Sequence, residues 1–170
     1  MSDGNTREDF ENYAGQKFMS LMGLDAKLVR RGNPNDSEPD FIFLHNSNKI
    51  GVEITIASYS DLQIALDFFF AKKSNRPANF AGYKVPLPLN PTKALLQRIQ
   101  ERLDSKWTKP YTGFDHLYIC IWVHGTIETK AEFQQIFGGL KLPLPQPKKQ
   151  AFAVYYPADE TSNYQIRKLV

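Results

Sequence analysis

Apolar residues recur at helical spacing near the start of the chain. Thr6 is a candidate helix N-cap, because Asp9 follows three residues later, and Gly23 is a candidate C-terminal stop. The spacing between these two signals predicts a first helix over 6–22. Its apolar positions are Phe10, Ala14, Phe18, Leu21 and Met22.

Strand patterns follow this helix. A short strand is predicted over 26–31, and the turn-forming residues of 32–39 close it. Residues 40–44 and 50–56 are rich in β-branched and aromatic side chains, which favour strands. Because the short segment between them is polar and suited to a turn, we expect these two strands to form a β-hairpin.

The second part of the chain predicts further helices and strands. The helices are expected over 60–73, 95–107 and 128–137, and the strands over 116–123 and 151–156. Residues 116–123 are almost continuously apolar, as expected for a strand that is buried on both faces. Prolines between the first two of these helices, at 77, 86, 88 and 91, exclude regular structure there.

This element order, α, β, β, β, α, α, β, α, β, predicts an α/β fold. A mixed β-sheet flanked by helices on both faces buries the apolar side of every element in three layers. The chain has 170 residues, of which 42% are hydrophobic, and this is sufficient for one core. We therefore expect a single domain over 1–170.

The cysteine content and the lack of long apolar segments bear on the compartment. Cys120 is the single cysteine, so no intrachain disulfide can form and a reducing compartment is expected. The first residues are polar, unlike a signal peptide, and no run reaches the roughly 18 apolar residues of a membrane-spanning helix. These features predict a cytoplasmic protein without membrane association.

The charge of the chain is unevenly distributed. The net charge is +3, but residues 1–60 carry a net −3 and residues 61–170 a net +6. The excess of basic over acidic residues is greatest over 72–109, where there are nine basic residues and two acidic ones. A polyanionic partner such as nucleic acid would therefore contact the second part of the chain.

Five basic side chains in this region are the candidates for nucleic-acid contact. They are Lys72, Lys73, Arg98, Arg102 and Lys106. The last three are spaced by four residues, so they form one stripe along the helix predicted over 95–107. An ordinary solvated helix face would show the same spacing, and that interpretation stays open.

Two acidic residues accompany the predicted hairpin. Asp40 opens one strand and Glu53 lies in the strand that folds back beside it, so both carboxylates can reach the same end of the hairpin. Two carboxylates repel each other unless a cation lies between them, and Mg²⁺ or Mn²⁺ prefers such oxygen ligands. Strand alternation places Thr55 on the same face as Glu53. Acidic residues are also common at solvated strand ends, and Pro-Asp is common in turns, so a purely structural role is the alternative.

At these residues the chain resembles the PD-(D/E)XK nuclease superfamily. Pro39-Asp40, the hairpin and Glu53-Ile54-Thr55 stand where that family has Pro-Asp followed by an acid, any residue and a lysine. The element order α, β, β, β, α, β over 6–123 is also similar. The resemblance implies a restriction endonuclease-like core with three layers.

The resemblance also implies roles for individual residues. Asp40 and Glu53 would hold Mg²⁺ or Mn²⁺, with the backbone carbonyl of Ile54 as a further ligand. The family often carries a glutamate on its first helix, and Glu11 resembles that residue, with Glu8 as the alternative. Thr55 stands in place of the family's lysine, and its hydroxyl supplies no positive charge.

The source of the missing positive charge stays open in the sequence. Lys49 lies on the same strand face as Glu53 but roughly 13 Å away along an extended strand. The other candidates are Lys72, Lys73, Gln63 and a basic residue of the later helix.

The resemblance leads to a functional expectation of a metal-dependent nuclease. It would hydrolyse phosphodiester bonds in nucleic acid, with DNA favoured over RNA, and a homodimer would supply the two sites needed to cut a duplex. The absent lysine favours an alternative, which is a catalytically inactive nuclease-like module that binds nucleic acid or a protein, as in bacterial conflict systems. The sequence has no phosphate-binding glycine loop, nucleophile elbow or zinc-ligand spacing, so other hydrolytic chemistries are disfavoured.

Overall fold

The computed structural model describes residues 7–61, 64–65, 86–124, 128–160 and 163–170. In these ranges the chain forms three α-helices, one short 3₁₀ helix and six β-strands. The α-helices are α1 (Arg7–Leu21), α2 (Pro91–Trp107) and α3 (Lys130–Gly138), and the 3₁₀ helix is Pro34–Asp36. The strands are β1 (Lys27–Arg31), β2 (Phe41–His45), β3 (Asn48–Ala57), β4 (His116–Val123), β5 (Lys149–Tyr155) and β6 (Gln165–Lys168). None of the helices in the described ranges is both long and apolar enough to cross a lipid bilayer.

The six strands form one mixed sheet, in which neighbours along the chain are also neighbours in space. Strands β1, β2 and β3 pair antiparallel, β3, β4 and β5 pair parallel, and β6 pairs antiparallel with β5. A two-residue turn joins β2 to β3, and both of its residues, Asn46 and Ser47, have positive φ angles of 47° and 68°. Such turns match the natural twist of a hairpin, and the predicted β2–β3 hairpin is confirmed.

The sheet separates two apolar cores, so the fold has three layers. Helix α1 packs on one face, and α2 and α3 pack on the other. Strand β3 directs Val52, Ile54 and Ile56 into the α1 core, whereas Ala57 belongs to the α2 core. Because side chains alternate along a strand, Glu53 lies on the α2 face.

The α/β class is confirmed, but the sequence pattern missed strand β6 and placed the start of α2 too late. Strand β6 has a single apolar residue, Ile166, and lies partly exposed at the edge of the sheet, so it carries no clear apolar signal. Helix α2 begins at Pro91, four residues before the predicted start, because Asn90 caps it. The Asn90 side chain accepts a hydrogen bond from the Lys93 amide at 3.0 Å, and Pro91 suits the first helical position.

The helix predicted over 60–73 lies mostly outside the described residues, as does much of the proline-rich segment that follows it. In the described part, the Ser60 carbonyl accepts a hydrogen bond from the Ile64 amide at 3.5 Å. Ile64 is buried in the α1 core.

Candidate functional site

The hairpin register brings Asp40 and Glu53 together. Phe41 pairs with Val52 across β2 and β3, so Asp40, just before β2, lies next to Glu53, which follows Val52. The two carboxylates are close enough for the charge of Glu53 to raise the pKa of Asp40. The amide of Ile54 donates to Oδ2 of Asp40 at 2.7 Å and fixes that carboxylate beside β3.

Two glycines let the loop before β2 approach the sheet. A Cβ on Gly32 would lie 1.8 Å from the carbonyl oxygen of Pro39, and a Cβ on Gly51 would lie 2.8 Å from the Cγ of Pro39. Both distances are far below van der Waals contact. The Gly32 amide also donates to the carbonyl of Asp40 at 2.9 Å. The two glycines therefore position the Pro39-Asp40 dipeptide.

The environment of Asp40 disfavours its charged form. Burial is the main cause that raises its pKa to about 6, and the negative charge of Glu53 is the second. The hydrogen bond from Ile54 and the charge of Lys106 act in the opposite direction, and Glu11 adds further repulsion. Asp40 and Glu53 repel each other, and neighbouring positive charge relieves this repulsion.

Lys106, in the last turn of α2, and Lys109, just after this helix, meet Glu53. The Glu53 side chain is buried, with 2% of the residue exposed. Lys106 donates from Nζ to Oε1 of Glu53, and Nζ of Lys109 lies 3.3 Å from the same oxygen. Burial opposes the charge of Lys109, but Glu53 and Asp40 outweigh it and raise the pKa of Lys109. The buried carboxylate is therefore paired with positive charge.

These contacts concern the positive charge that a lysine would supply at the position of Thr55. Thr55 is buried two residues after Glu53 and carries no charge. Lys49 does not supply this charge, because its ammonium lies over the ring of Phe114 instead, 4.8 Å from the ring centroid. Lys106, from the later helix, reaches Glu53 instead. Three other candidates, Lys72, Lys73 and Gln63, lie outside the described residues.

No protein-family model, curated protein or solved structure matches this chain. The interpretation of the site therefore depends on its residues and geometry.

Glu11 lies near the acidic pair but is held by arginines. Its carboxylate accepts from Arg7 at 3.0 Å and from Arg31 at 2.9 Å. Glu8, the alternative candidate, is largely exposed and lies 3.4 Å from Arg31. Glu11 is thus the better placed of the two, because its charge contributes to the raised pKa of Asp40.

The arginines of the predicted basic stripe are partly exposed and form ion pairs within the protein. Arg98 pairs with Asp61 at 3.7 Å and with Glu101 at 2.9 Å. Arg102 donates to the carbonyl of Ile56 at 3.1 Å and to Asp61. Each cation of the stripe therefore has an intramolecular partner, and nucleic-acid contact by these arginines stays a prediction.

Among the described residues, no group of three or more His, Cys, Asp or Glu side chains is placed to hold a metal ion. Asp40 and Glu53 alone supply two carboxylates. Mg²⁺ is typically bound in this way, by one or two carboxylates, with water and substrate phosphate as its other ligands. The donor set fits Mg²⁺ better than it fits zinc.

Tyr111 is a residue that the sequence pattern does not single out. It lies in the turn after α2, and burial, followed by the charges of Glu53 and Asp40, raises its pKa. Its hydroxyl is buried and, among the described residues, makes no hydrogen bond of full strength, but it lies close enough to Glu53 for a weaker interaction that also raises the pKa. Tyr111 is therefore a neutral donor near both carboxylates.

Proposed function

We propose that this protein is a metal-dependent nuclease of the PD-(D/E)XK type that hydrolyses phosphodiester bonds, with DNA favoured over RNA. The observation that carries the proposal is the Asp40 carboxylate, held by the Ile54 amide beside Glu53, with Lys106 in contact with Glu53. This arrangement combines two acidic ligands with one cation, as in the family that the sequence resembles. The three-layer arrangement around a mixed sheet supports the same proposal.

Asp40 and Glu53 would hold Mg²⁺ or Mn²⁺, and the carbonyl of Ile54 would be a third ligand from the chain. When bound, such an ion polarises the scissile phosphate and makes water a stronger nucleophile. The hydrogen bond from the Ile54 amide leaves Oδ1 of Asp40 available as a ligand. Pairing of Glu53 with lysines through Oε1 leaves its Oε2 available in the same way.

Lys106 would supply the positive charge that Thr55 lacks. Its ammonium would orient the attacking water and offset negative charge that develops on the phosphate. Lys109 would act from the same side, because it approaches the same carboxylate oxygen. The proposal therefore assigns the role of the motif lysine to a residue on α2.

The test is cleavage of supercoiled plasmid and of a panel of RNAs with Mg²⁺, with Mn²⁺ and with a chelator. Asp40→Asn and Glu53→Gln remove one charge each while they preserve side-chain size. We expect each to reduce metal-dependent cleavage by about 100-fold or more. Asp25→Asn, an exposed acid in the loop between α1 and β1, is the matched control.

A second candidate function is a nuclease-like module that binds without cleaving. The observation that favours it is the pairing of Glu53 with two lysines, since a buried ion-pair cluster can be purely structural. Nucleic-acid or protein binding that persists with the chelator and in both variants, without cleavage by the wild type, supports this module. Cleavage that depends on metal and on both acids supports the nuclease.

A further inference from the structure

Lys149 is a buried lysine at the start of β5. Only 8% of it is exposed. Its Nζ donates to the carbonyl of Trp107 and, at 3.1 Å, to the carbonyl of Lys109. The ammonium also lies 5.3 Å from the ring centroid of Trp107 and 6.0 Å from that of Tyr111. Among the described residues, no carboxylate lies within ion-pair distance of it.

A lysine is costly to bury without a partner of opposite charge. The C-terminus of a helix provides a substitute, because its last carbonyls lack helical partners and the helix dipole is negative there. Helix α2 ends at Trp107, whose carbonyl is one of these groups. Lys149 therefore compensates the end of α2, and the two aromatic rings add cation–π attraction.

The carbonyls that Lys149 binds belong to the turn that approaches Glu53. This turn, residues 107–111, follows Lys106 directly and carries Lys109 and Tyr111. One ammonium holds the turn at two successive points, and the side chain of Lys109 leaves the second of these points toward Glu53. The path from Lys149 to the candidate site is thus a short, continuous set of contacts.

We propose that Lys149 is a positioning residue, which holds the turn 107–111 so that Lys109 and Tyr111 face Glu53. The effect of Lys149 on catalysis rests on the proposed function. The contacts themselves can be tested without any activity.

The first measurement is NMR hydrogen exchange of the Lys109 and Tyr111 backbone amides, which donate within the turn to the carbonyls of Lys106 and Lys109. In Lys149→Met we expect both amides to exchange about tenfold faster than in the wild type, with the amides of β4 unchanged, because the turn has lost the ammonium that holds it. Lys149→Arg can still donate to both carbonyls and should preserve the wild-type exchange rates. Lys148→Met removes an exposed neighbouring charge and is the matched control.

The second measurement is metal-dependent cleavage. We expect Lys149→Met to lower kcat by about tenfold with KM nearly unchanged. A tenfold effect is the size expected when one charge-assisted hydrogen bond is lost. Lys149→Arg should restore kcat to within about threefold of the wild type. If Lys149→Met does not fold, Lys149→Gln is compared in the same two measurements.

Unchanged exchange of the Lys109 and Tyr111 amides in a folded Lys149→Met or Lys149→Gln protein overturns the proposal. An equal acceleration in Lys148→Met also overturns it, because the effect would then be one of general charge. A wild-type protein that cleaves nothing refutes the nuclease proposal instead, and the exchange of these two amides then decides the role of Lys149 alone.

Discussion

Asp40 couples the candidate site to folding. Its pKa is about 6 in the folded protein, compared with an ordinary value of 3.8. The folded state therefore binds this proton more tightly than the unfolded chain, and the resulting stability is fully present below about pH 4. It is lost as the pH rises through about 6.

This coupling predicts the pH dependence of stability. The free energy of unfolding of the wild type, relative to Asp40→Asn, should decrease by about 2 kcal/mol between pH 4 and pH 7. Urea unfolding of both proteins at several pH values measures the difference and cancels the other titrating groups. Parallel pH profiles for the two proteins would contradict the burial of Asp40 beside Glu53.

Lys106 has two opposing effects in the proposed site. It competes with a cation for Glu53, yet it supplies positive charge to the reaction. We therefore expect Lys106→Met to bind Mg²⁺ about tenfold more tightly in calorimetric titrations. We expect the same variant to cleave about 100-fold more slowly.

Lys93 provides the control for this pair of measurements, because it is an exposed lysine in the first turn of α2. Lys93→Met should leave both Mg²⁺ affinity and cleavage near wild-type values. If Lys106→Met weakens Mg²⁺ binding, Lys106 does not compete for the site and the proposed arrangement is wrong.

At the level of elements, the loop between β1 and β2 determines where Asp40 lies. This loop can lie against the sheet because Gly32 and Gly51 have no side chains. We predict that Gly51→Ala lowers the free energy of unfolding by about 1–3 kcal/mol, since the new methyl group would overlap Pro39. Gly32→Ala should be more harmful, because its methyl group would meet a backbone carbonyl that cannot rotate away.

The matched control for these variants is Gly138→Ala. Gly138 ends α3, and an added Cβ there would contact nothing within 4 Å. Urea unfolding should show this variant at least as stable as the wild type. Equal stability of Gly51→Ala and Gly138→Ala would show that the loop tolerates displacement.

For the whole molecule, β6 protects the edge of a buried strand. The backbone of residues 165–168 pairs with β5, and Leu169 continues the pairing through its amide, which donates to the carbonyl of Ala151 at 2.8 Å. Removal of 165–170 should lower the free energy of unfolding by about 3 kcal/mol or more, because it exposes that edge and part of the α2 core.

Urea unfolding and size-exclusion chromatography test this truncation, and we expect the shortened protein to self-associate. Arg167→Ala keeps the backbone of β6 and changes one exposed side chain, so it is the control. A truncated protein as stable and as monodisperse as this control would mean that β6 contributes nothing to the sheet.

Local signals in the sequence were sufficient for much of this architecture. Alternation, β-branched content and a polar turn predict the β2–β3 hairpin, and a hairpin register needs only a few neighbouring residues. The proximity of Asp40 and Glu53 follows from that register. Strand β4 is equally clear, because its burial on both faces makes it almost wholly apolar.

The partners of Glu53 could be decided only by tertiary packing. Lys106 is 53 residues away along the chain, and the sequence permits several other cations to reach the same carboxylate. The choice depends on how α2 lies across the sheet, which its contacts with β3, β4 and α3 determine. The sequence by itself thus determined the acidic pair, because hairpin geometry is local. The tertiary structure decided which lysines meet it and how Lys149 holds them, because those contacts join segments that have no short-range relation.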